Sequence, residues 1–179
     1  LLLFVLQAKS QNYSLGLLGT SSQAVNIGTA AAVTGTGAFA VEAWVKTTGT
    51  ADAYIIQQRE GGGAGFEGEY MLSLTTSGQV NWLIYQGGNG FNVTSVTSIN
   101  DGNWHHVAAT READASGRIY IDGVLDQSGA GTVATMNPLY VAIGYDFRDG
   151  NKYFTGDLEE VRIWNTARTA FQIKEFAFK

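Results

Sequence analysis

The amino-acid sequence predicts an all-β protein, a sandwich of two antiparallel sheets with one short C-terminal helix. Apolar and polar residues alternate along short segments, which is the period of strands that bury one face. Gly, Asn, Asp and Thr bound these segments, and the chain has 23 Gly but a single Pro in 179 residues. Hydrophobic residues make up 45% of a chain without Cys, enough to fill a core without disulfide bonds.

Ten segments show the strand pattern, and ten strands require two packed sheets. These segments are residues 24–27, 38–46, 53–59, 70–76, 79–86, 91–98, 104–111, 117–122, 139–144 and 157–165. Ser77-Gly78 and Asp122-Gly123 are turn dipeptides, so each is predicted to join two strands. Residues 169–176 have the pattern of a helix, and we expect their apolar side chains to cap one end of the sandwich.

Charge and composition exclude several classes of function. A formal net charge of -5, with 11 basic residues scattered along the chain, argues against a nucleic-acid partner, which would require clusters of Lys and Arg. The lack of Cys excludes thiol catalysis and zinc sites built on Cys. Composition alone does not indicate a specific function.

Residues 1–10 are predicted to be the remnant of a secretory signal peptide, with residues 11–179 as one β-sandwich domain. The apolar run LLLFVL is followed by Ala8-Lys9-Ser10, the small-x-small form that signal peptidases cut after. Six apolar residues are too few to cross a bilayer, which takes ~20, so no transmembrane span is expected. The expected location is extracellular or at the cell surface. Two alternatives stay open: an extra strand ordered against the domain, or a strand donated to a neighbouring subunit of an oligomer.

Strand parity gathers polar side chains on one face of three strands if those strands are neighbours. Amide and hydroxyl groups on such a face can pair with sugar hydroxyls, and an aromatic ring can stack on a pyranose. Phe66 adds an aromatic in the glycine-rich loop between two of the strands. The alternative is an antiparallel sheet that is simply solvated on one side. The predicted ligand-binding residues are Gln57, Arg59, Ser73, Asn81, Tyr85 and Phe66.

Three motifs resemble those of laminin-G-like modules. Residues 39–46, FAVEAWVK, resemble the family's F-x-[IV]-E-A-W-V-K strand. Residues 103–110 and 117–123, NWHHVAAT and GRIYIDG, resemble its W-H-H-V-A-x-T and I-Y-I-D-G pair, and 154–165 resemble its closing strand. The resemblance implies the concanavalin A-like jelly roll that laminin-G-like domains share with pentraxins and legume-lectin-like proteins. It also implies that the strand at 24–27 lies beside the closing strand.

Several motif residues are interpreted as scaffold. Trp44, Trp104 and Trp164 stand in mid-strand and are expected to be packing anchors. If their strands are neighbours, Glu42 and Arg162 should form an ion pair. His105 and His106 are consecutive strand residues that point to opposite faces, so they cannot hold one metal ion together.

Calcium is the one cofactor that the sequence suggests. The resemblance implies it, because many relatives bind calcium, and a dense set of oxygen ligands occurs between residues 145 and 151. The candidate ligands are Asp146, Asp149 and Asn151. Arg148 offsets one carboxylate, and Glu159 stands where the family's closing motif usually has Asp. A solvated turn is the alternative.

Catalysis is not predicted, although the same fold includes glycosidases. Retaining glycosidases need paired carboxylates on one face. Glu67 and Glu69 alternate correctly but are expected in a loose glycine-rich loop, whereas Asp157 and Glu159 belong to the closing motif. No nucleophile, phosphate-binding or zinc-protease motif occurs in the chain.

The predicted function is therefore a secreted, non-catalytic binding module that recognises carbohydrate or a protein surface in adhesion. Its partner would be a glycan or an extracellular protein. Two alternatives remain: an assembly subunit that uses its N-terminal segment for intersubunit contact, and a glycosidase or lyase of the same fold.

Overall fold

The computed structural model describes residues 4–5, 14–19, 23–59, 67–146, 148 and 150–178. These residues form 13 strands and one helix. The elements are β1 (Phe4–Val5), β2 (Leu15–Leu18), β3 (Val25–Gly28), β4 (Phe39–Lys46), β5 (Ala53–Arg59), β6 (Glu67–Leu74), β7 (Gln79–Gln86), β8 (Asn89–Ser98), β9 (Trp104–Arg111), β10 (Gly117–Ile121), β11 (Val124–Gly129), β12 (Tyr140–Ile143), β13 (Thr155–Trp164) and α1 (Ala170–Phe176).

The strands form two antiparallel sheets packed face to face, as the sequence predicts. The seven-stranded sheet has the order β1-β13-β4-β9-β10-β11, and β2 also pairs with β13. The six-stranded sheet has the order β3-β12-β5-β6-β7-β8. Many neighbours in each sheet are distant in sequence, so the chain crosses repeatedly between the sheets, which is the jelly-roll arrangement. In the described part of the chain, no helix has the length and hydropathy needed to cross a membrane.

The core lies between the sheets and is built from the inward-facing side chains of both. Phe39 of β4 contacts Tyr70 and Trp82 of the opposite sheet, with ring centroids 5.4 Å and 5.7 Å away. The Trp82 indole N–H donates to the carbonyl of Thr110 at 3.0 Å, so the one polar atom of this buried ring is satisfied. Trp82 is therefore the indole that fills the core, whereas Trp44 and Trp104 are only half-buried.

Two glycines let the sheets approach each other closely at one end of the core. A Cβ on Gly117 of β10 would lie 2.4 Å from the Phe91 ring of β8, and one on Gly129 of β11 would lie 2.7 Å from Val93. Real Cβ atoms do not come this near another heavy atom. The glycines therefore make room for Phe91 and Val93, which belong to the core.

All ten predicted strands are present, and residues 53–59, 79–86 and 104–111 have the predicted bounds. Strands β2 and β11 were not predicted, and β1 was considered only as the alternative of an extra strand ordered against the domain. Strand β11 lacks the signal because all six of its residues are exposed or half-buried, so buried and exposed positions do not alternate.

Two other sequence-based expectations about strands are wrong. Glu69 belongs to β6 and pairs with Tyr85, so residues 67–69 are strand and not a loose loop. The strand near residues 24–27 pairs with β12, and it is β2 that lies beside the closing strand β13, together with β1. Phe4–Val5 is thus ordered against its own domain, while the other residues of the predicted signal segment lie outside the described part. That prediction is untested.

The C-terminal helix covers the outer face of the seven-stranded sheet. Thr169 caps the N-terminus of the helix: its side chain accepts a hydrogen bond from the Gln172 backbone N–H, and the Gln172 side chain accepts one from the Thr169 backbone N–H. Ile173 is buried against Ala108 and Tyr120, which point away from the core. The expectation that the helix caps one end of the sandwich is wrong, because the apolar surface free to receive it lies on the sheet.

Candidate functional site

Five of the six predicted ligand-binding residues meet on the outer face of the six-stranded sheet. Ser73 of β6 and Asn81 of β7 are direct cross-strand partners. On the same face, Gln57 of β5 is the cross-strand partner of Met71. Tyr85 of β7 is the cross-strand partner of Glu69, and Arg59 forms an ion pair with Glu69. Phe66 lies outside the described residues.

This face is more deeply packed than a simply solvated sheet. Gln57, Arg59 and Ser73 are buried, whereas Asn81 and Tyr85 are half-buried. Neither amide atom of Gln57 has a hydrogen-bond partner among the described residues. Of the five predicted residues that the structure describes, only Asn81 and Tyr85 therefore present substantial surface to a ligand without rearrangement.

Arg59 is held by two carboxylates. Its Nε lies 3.1 Å from Glu69 Oε2, and its Nη1 lies 3.0 Å and 2.9 Å from the two carboxylate oxygens of Asp146. Arg148 approaches the same Glu69 oxygen at 3.4 Å. Burial by itself would lower the pKa of Arg59, but Glu69 and Asp146 outweigh it and raise that pKa above its ordinary value.

The two predicted calcium ligands that the structure describes, Asp146 and Asn151, differ in burial. Asp146 is buried and accepts bonds from Arg59 and from the Arg148 backbone N–H, Asn151 is exposed, and Asp149 lies outside the described residues. A bond from Asp146 N to Asn151 O, at 2.9 Å, closes the loop. Among residues that the structure describes, no three His, Cys, Asp or Glu side chains cluster as metal ligands would. These contacts test neither calcium binding nor its alternative, a solvated turn.

A depression of about 200 Å³ opens on this face. Tyr54, Ser73, Asn81 and Lys152 are among the residues that line it. The amide nitrogen of Asn81 donates to Asn92 Oδ1 at 2.7 Å and to Thr94 Oγ1 at 2.9 Å, which fixes the plane of the amide. The Lys152 ammonium lies 5.5 Å from the centroid of the Tyr54 ring. The depression therefore combines an aromatic ring, a hydroxyl, an oriented amide and a cation.

Two further tyrosines lie on this face and were not predicted to do so. Strict alternation puts Tyr54 on the core side, but the register shifts between Tyr54 and Ile56, so Tyr54 pairs with Ser73 on the outer face. Tyr140 of β12 pairs with Arg59 and is 45% exposed. No residue in the sequence signals this bulge, so strand parity could not have found Tyr54.

Comparison with known proteins identifies the family of this chain. A family model described as the concanavalin A-like lectin/glucanases superfamily matches residues 18–174. The chain belongs to this superfamily.

The curated relatives of this superfamily member are much longer than it is. Over 107 residues it is 31% identical to "Sushi, von Willebrand factor type A, EGF and pentraxin domain-containing protein 1" of Rattus norvegicus, and 29% identical to that of Mus musculus. Each alignment covers 54% of this chain and 3% of the relative. The likeness therefore concerns one small part of those proteins.

Solved structures of similar fold include carbohydrate-binding domains and a pentraxin. Domain 4 of AbnA, an extracellular arabinanase of Geobacillus stearothermophilus solved with arabinotriose, has a TM-score of 0.69 at 18% identity, covering 98% of this chain and 81% of that one. The CBM40 of a Ruminococcus gnavus sialidase has a TM-score of 0.67 at 13% identity, covering 80% and 84%. A heptameric pentraxin of Limulus polyphemus has 0.64 at 14%, covering 92% and 81%. At these identities the likeness is one of fold.

On the other sheet, this superfamily member carries the predicted ion pair in a buried polar cluster. Glu42 and Arg162 are cross-strand partners with Oε1 and Nη1 3.4 Å apart, which confirms the prediction. The Trp164 indole N–H donates to the same Glu42 oxygen at 3.0 Å. Burial raises the pKa of Glu42 above its ordinary value, although Arg162 and Trp164 oppose the shift.

The two consecutive histidines point to opposite faces, as predicted. His105 lies between two carboxylates, with Nδ1 2.8 Å from Asp122 and Nε2 3.2 Å from Asp101. His106 is buried on the outer side of the same sheet, with its ring 5.4 Å from that of Trp44. Burial, and secondarily Arg162, lowers the pKa of His106 to about 4. The imidazole is therefore neutral at physiological pH.

Proposed function

We propose that this domain is a non-catalytic module that binds carbohydrate through the outer face of its six-stranded sheet. The observation that carries the proposal is the depression in which Tyr54, Ser73 and Asn81 meet beside Lys152. A pyranose has an apolar C–H face and a ring of hydroxyls, and the tyrosine ring and the polar groups match these two surfaces. Tyr85 and Tyr140 extend the aromatic surface along the same face.

The protein relatives support a sugar ligand by analogy. Among the similarly folded domains, domain 4 of AbnA was solved in complex with arabinotriose, and the Ruminococcus gnavus CBM40 was solved bound to α2,3-sialyllactose. Fold alone does not transfer a ligand, so the proposal depends on the side chains of this chain. These differ from an apolar protein-docking surface because the lining combines the Tyr54 ring with the polar or charged side chains of Asp52, Ser73, Thr75, Asn81 and Lys152.

The same face supports a non-catalytic role. Retaining glycosidases need two free carboxyl groups about 5–5.5 Å apart. Glu69 and Asp146 are both bound by arginines and buried, and Asp52 is the one carboxylate among the residues that line the depression. An acid and a nucleophile are therefore not paired at the place where a sugar would rest.

We also propose that the module works outside the cell, in adhesion. The location outside the cell rests on the signal-like segment at residues 1–10. N-terminal mass spectrometry of secreted material tests it, with a mature chain that starts near Gln11 as the expected result. Intact residues 1–10 on exported protein would contradict it.

Calorimetric titration with arabinotriose and α2,3-sialyllactose, followed by a glycan array, tests the carbohydrate proposal. For any glycan that binds, we expect Tyr85→Ala and Asn81→Ala each to weaken binding by about tenfold, the loss of one stacking or hydrogen-bonding contact. Phe171→Ala is the matched control, because Phe171 is 72% exposed on α1, away from this sheet. No binding to any arrayed glycan would contradict the proposal, and release of reducing sugar would establish an enzyme instead.

A further inference from the structure

A second pocket, of about 490 Å³, lies on the outer face of the seven-stranded sheet beside α1. It is on the opposite side of the sandwich from the proposed carbohydrate site. Three aromatic and three charged residues line it: Trp44, Trp104, Phe176, Glu159, Glu160 and Arg162. Its volume falls within the range of small-ligand sites.

Strand register places a carboxylate beside one of two neighbouring indoles. Trp44 of β4 pairs with Glu159 of β13, and Trp104 of β9 pairs with Lys46 in the adjacent row of the same face. The indoles are thus diagonal cross-strand neighbours, a separation that aromatic side chains span. Glu159 is next to Trp44, on the side of β4 that faces away from Trp104, and all three residues line the pocket.

A β-bulge brings a second carboxylate to the same pocket. The register between β13 and β4 shifts between Glu159 and Arg162. Glu160 has a φ of 51°, a left-handed value that is rare for a residue other than Gly. In a regular strand, Glu159 and Glu160 would point to opposite faces, whereas here both line the pocket. Bulges that re-aim a side chain in this way occur next to binding sites.

The charges of this pocket are not balanced internally. Arg162 is paired with Glu160 and with Glu42, so its charge is already compensated. Lys46 is not among the residues that line the pocket, and its cross-strand neighbour on β13 is Asp157. Glu159 has no ion pair with any residue that the structure describes. A carboxylate without a counterion therefore stands beside Trp44.

The same face already stacks guanidinium groups on aromatic rings. The Arg168 guanidinium lies 4.0 Å from the centroid of the Trp164 ring, and that of Arg162 lies 4.6 Å from the centroid of Phe176. No cation of the described residues lies over Trp44 or Trp104. Two rings of this face are thus stacked with a cation, and the other two line a pocket that also contains the carboxylate of Glu159.

We propose that this pocket binds the guanidinium or ammonium group of an Arg or Lys side chain from a polypeptide partner. The cation rests against Trp44 and Trp104, with Glu159 as its counterion, by the same cation–π contact that Arg168 makes with Trp164. This site is independent of the proposed carbohydrate site, since it uses the other sheet.

The test is a titration of ¹⁵N-labelled protein with Nα-acetyl-arginine methylamide, following the four indole N–H signals. We expect the Trp44 and Trp104 signals to move with an affinity in the millimolar range and the buried Trp82 signal to stay. Glu159→Gln should weaken the affinity about fivefold, because it removes the charge and keeps the volume. Glu175→Gln, which removes an exposed carboxylate of α1, is the matched control and should leave the affinity unchanged.

A neutral isostere completes the test. Nα-acetyl-citrulline methylamide should bind at least about fivefold more weakly than the arginine compound, because only the charge differs. Equal binding of the two, or equal affinity of Glu159→Gln and the native protein, would overturn the proposal. So would a neutral sugar that moves the Trp44 and Trp104 signals at lower concentration than the arginine compound. Loss of glycan binding by Tyr85→Ala leaves this result untouched, so the two proposals fail separately.

Discussion

Arg59 and Asp146 join strand β5 to the loop that follows β12, with Nη1 of the guanidinium 3.0 Å and 2.9 Å from the two carboxylate oxygens. Both side chains are buried, and they are 87 positions apart in the chain. The pair therefore anchors a long loop to the outer face of the six-stranded sheet, next to the proposed carbohydrate site.

Asp146→Asn is expected to destabilise the protein by about 3 kcal/mol, because it leaves a buried guanidinium with one carboxylate in place of two. Urea denaturation of the native protein and the variant measures this. Asp52→Asn is the control: Asp52 is exposed and 3.9 Å from Lys152, so its loss should cost less than about 1 kcal/mol. Equal stability of the two variants would show that Arg59 does not depend on Asp146.

Millimolar calcium is expected to leave the melting temperature of EDTA-treated protein unchanged within about 1 °C. The Asp146 carboxylate would have to release Arg59 before it could bind a calcium ion. An ion that does not bind the folded protein does not raise its stability. Differential scanning fluorimetry measures the shift, with magnesium as the control cation. A rise of several degrees that Asp146→Asn abolishes would instead establish the calcium site.

Gly117→Ala is expected to cost about 2 kcal/mol, since its Cβ would lie 2.4 Å from the Phe91 ring inside the core. Gly37→Ala is the matched control, because a Cβ there meets no atom within 4 Å. The difference between their free energies of unfolding isolates the clash from the general effect of replacing Gly. A control variant as unstable as Gly117→Ala would refute this account of the close sheet contact.

His106 should make the protein less stable as the pH falls from about 6.5 to about 4. Burial lowers its pKa to about 4, whereas an unfolded His takes up a proton near pH 6.5, so the unfolded state binds more protons within this window. The shift corresponds to roughly 3 kcal/mol. Glu42 acts in the opposite direction, because burial raises its pKa and the folded state then takes up its proton first.

His106→Leu separates these effects. Neither ring nitrogen of His106 has a hydrogen-bond partner among the described residues, so an apolar replacement should not destabilise the protein at pH 7. The variant should retain the contribution of Glu42 and lose the fall in stability between pH 6.5 and 4. Identical pH profiles for the variant and the native protein, measured by urea denaturation, would contradict the prediction.

Much of the scaffold follows from local sequence signals. The alternation at residues 53–59, 79–86 and 104–111 predicted these strands to the residue, and the turn at Asp122-Gly123 has positive φ at both positions, as its residues suggest. Such features depend on the backbone preferences of a few neighbouring residues, which the sequence displays directly.

The candidate site was only partly predictable. Strand parity brought Ser73 and Asn81 together correctly, because both lie in regular parts of β6 and β7. It misplaced Tyr54, since an extra residue in β5 reverses the alternation there. It also could not show that Arg59 is buried, because the carboxylate that covers it comes from a loop far along the chain.

The sequence by itself determined the all-β class, ten of the 13 strands, the C-terminal helix and the Glu42–Arg162 pair, because each follows from periodicity or from a motif. Tertiary structure alone decided which sheet each strand joins, that Trp82 fills the core, and that Trp44 and Trp104 line a pocket with Glu159 and Glu160. The physical reason is that alternation divides side chains between two faces of a strand without saying which face is covered. That depends on bulges and on segments that pack from distant parts of the chain.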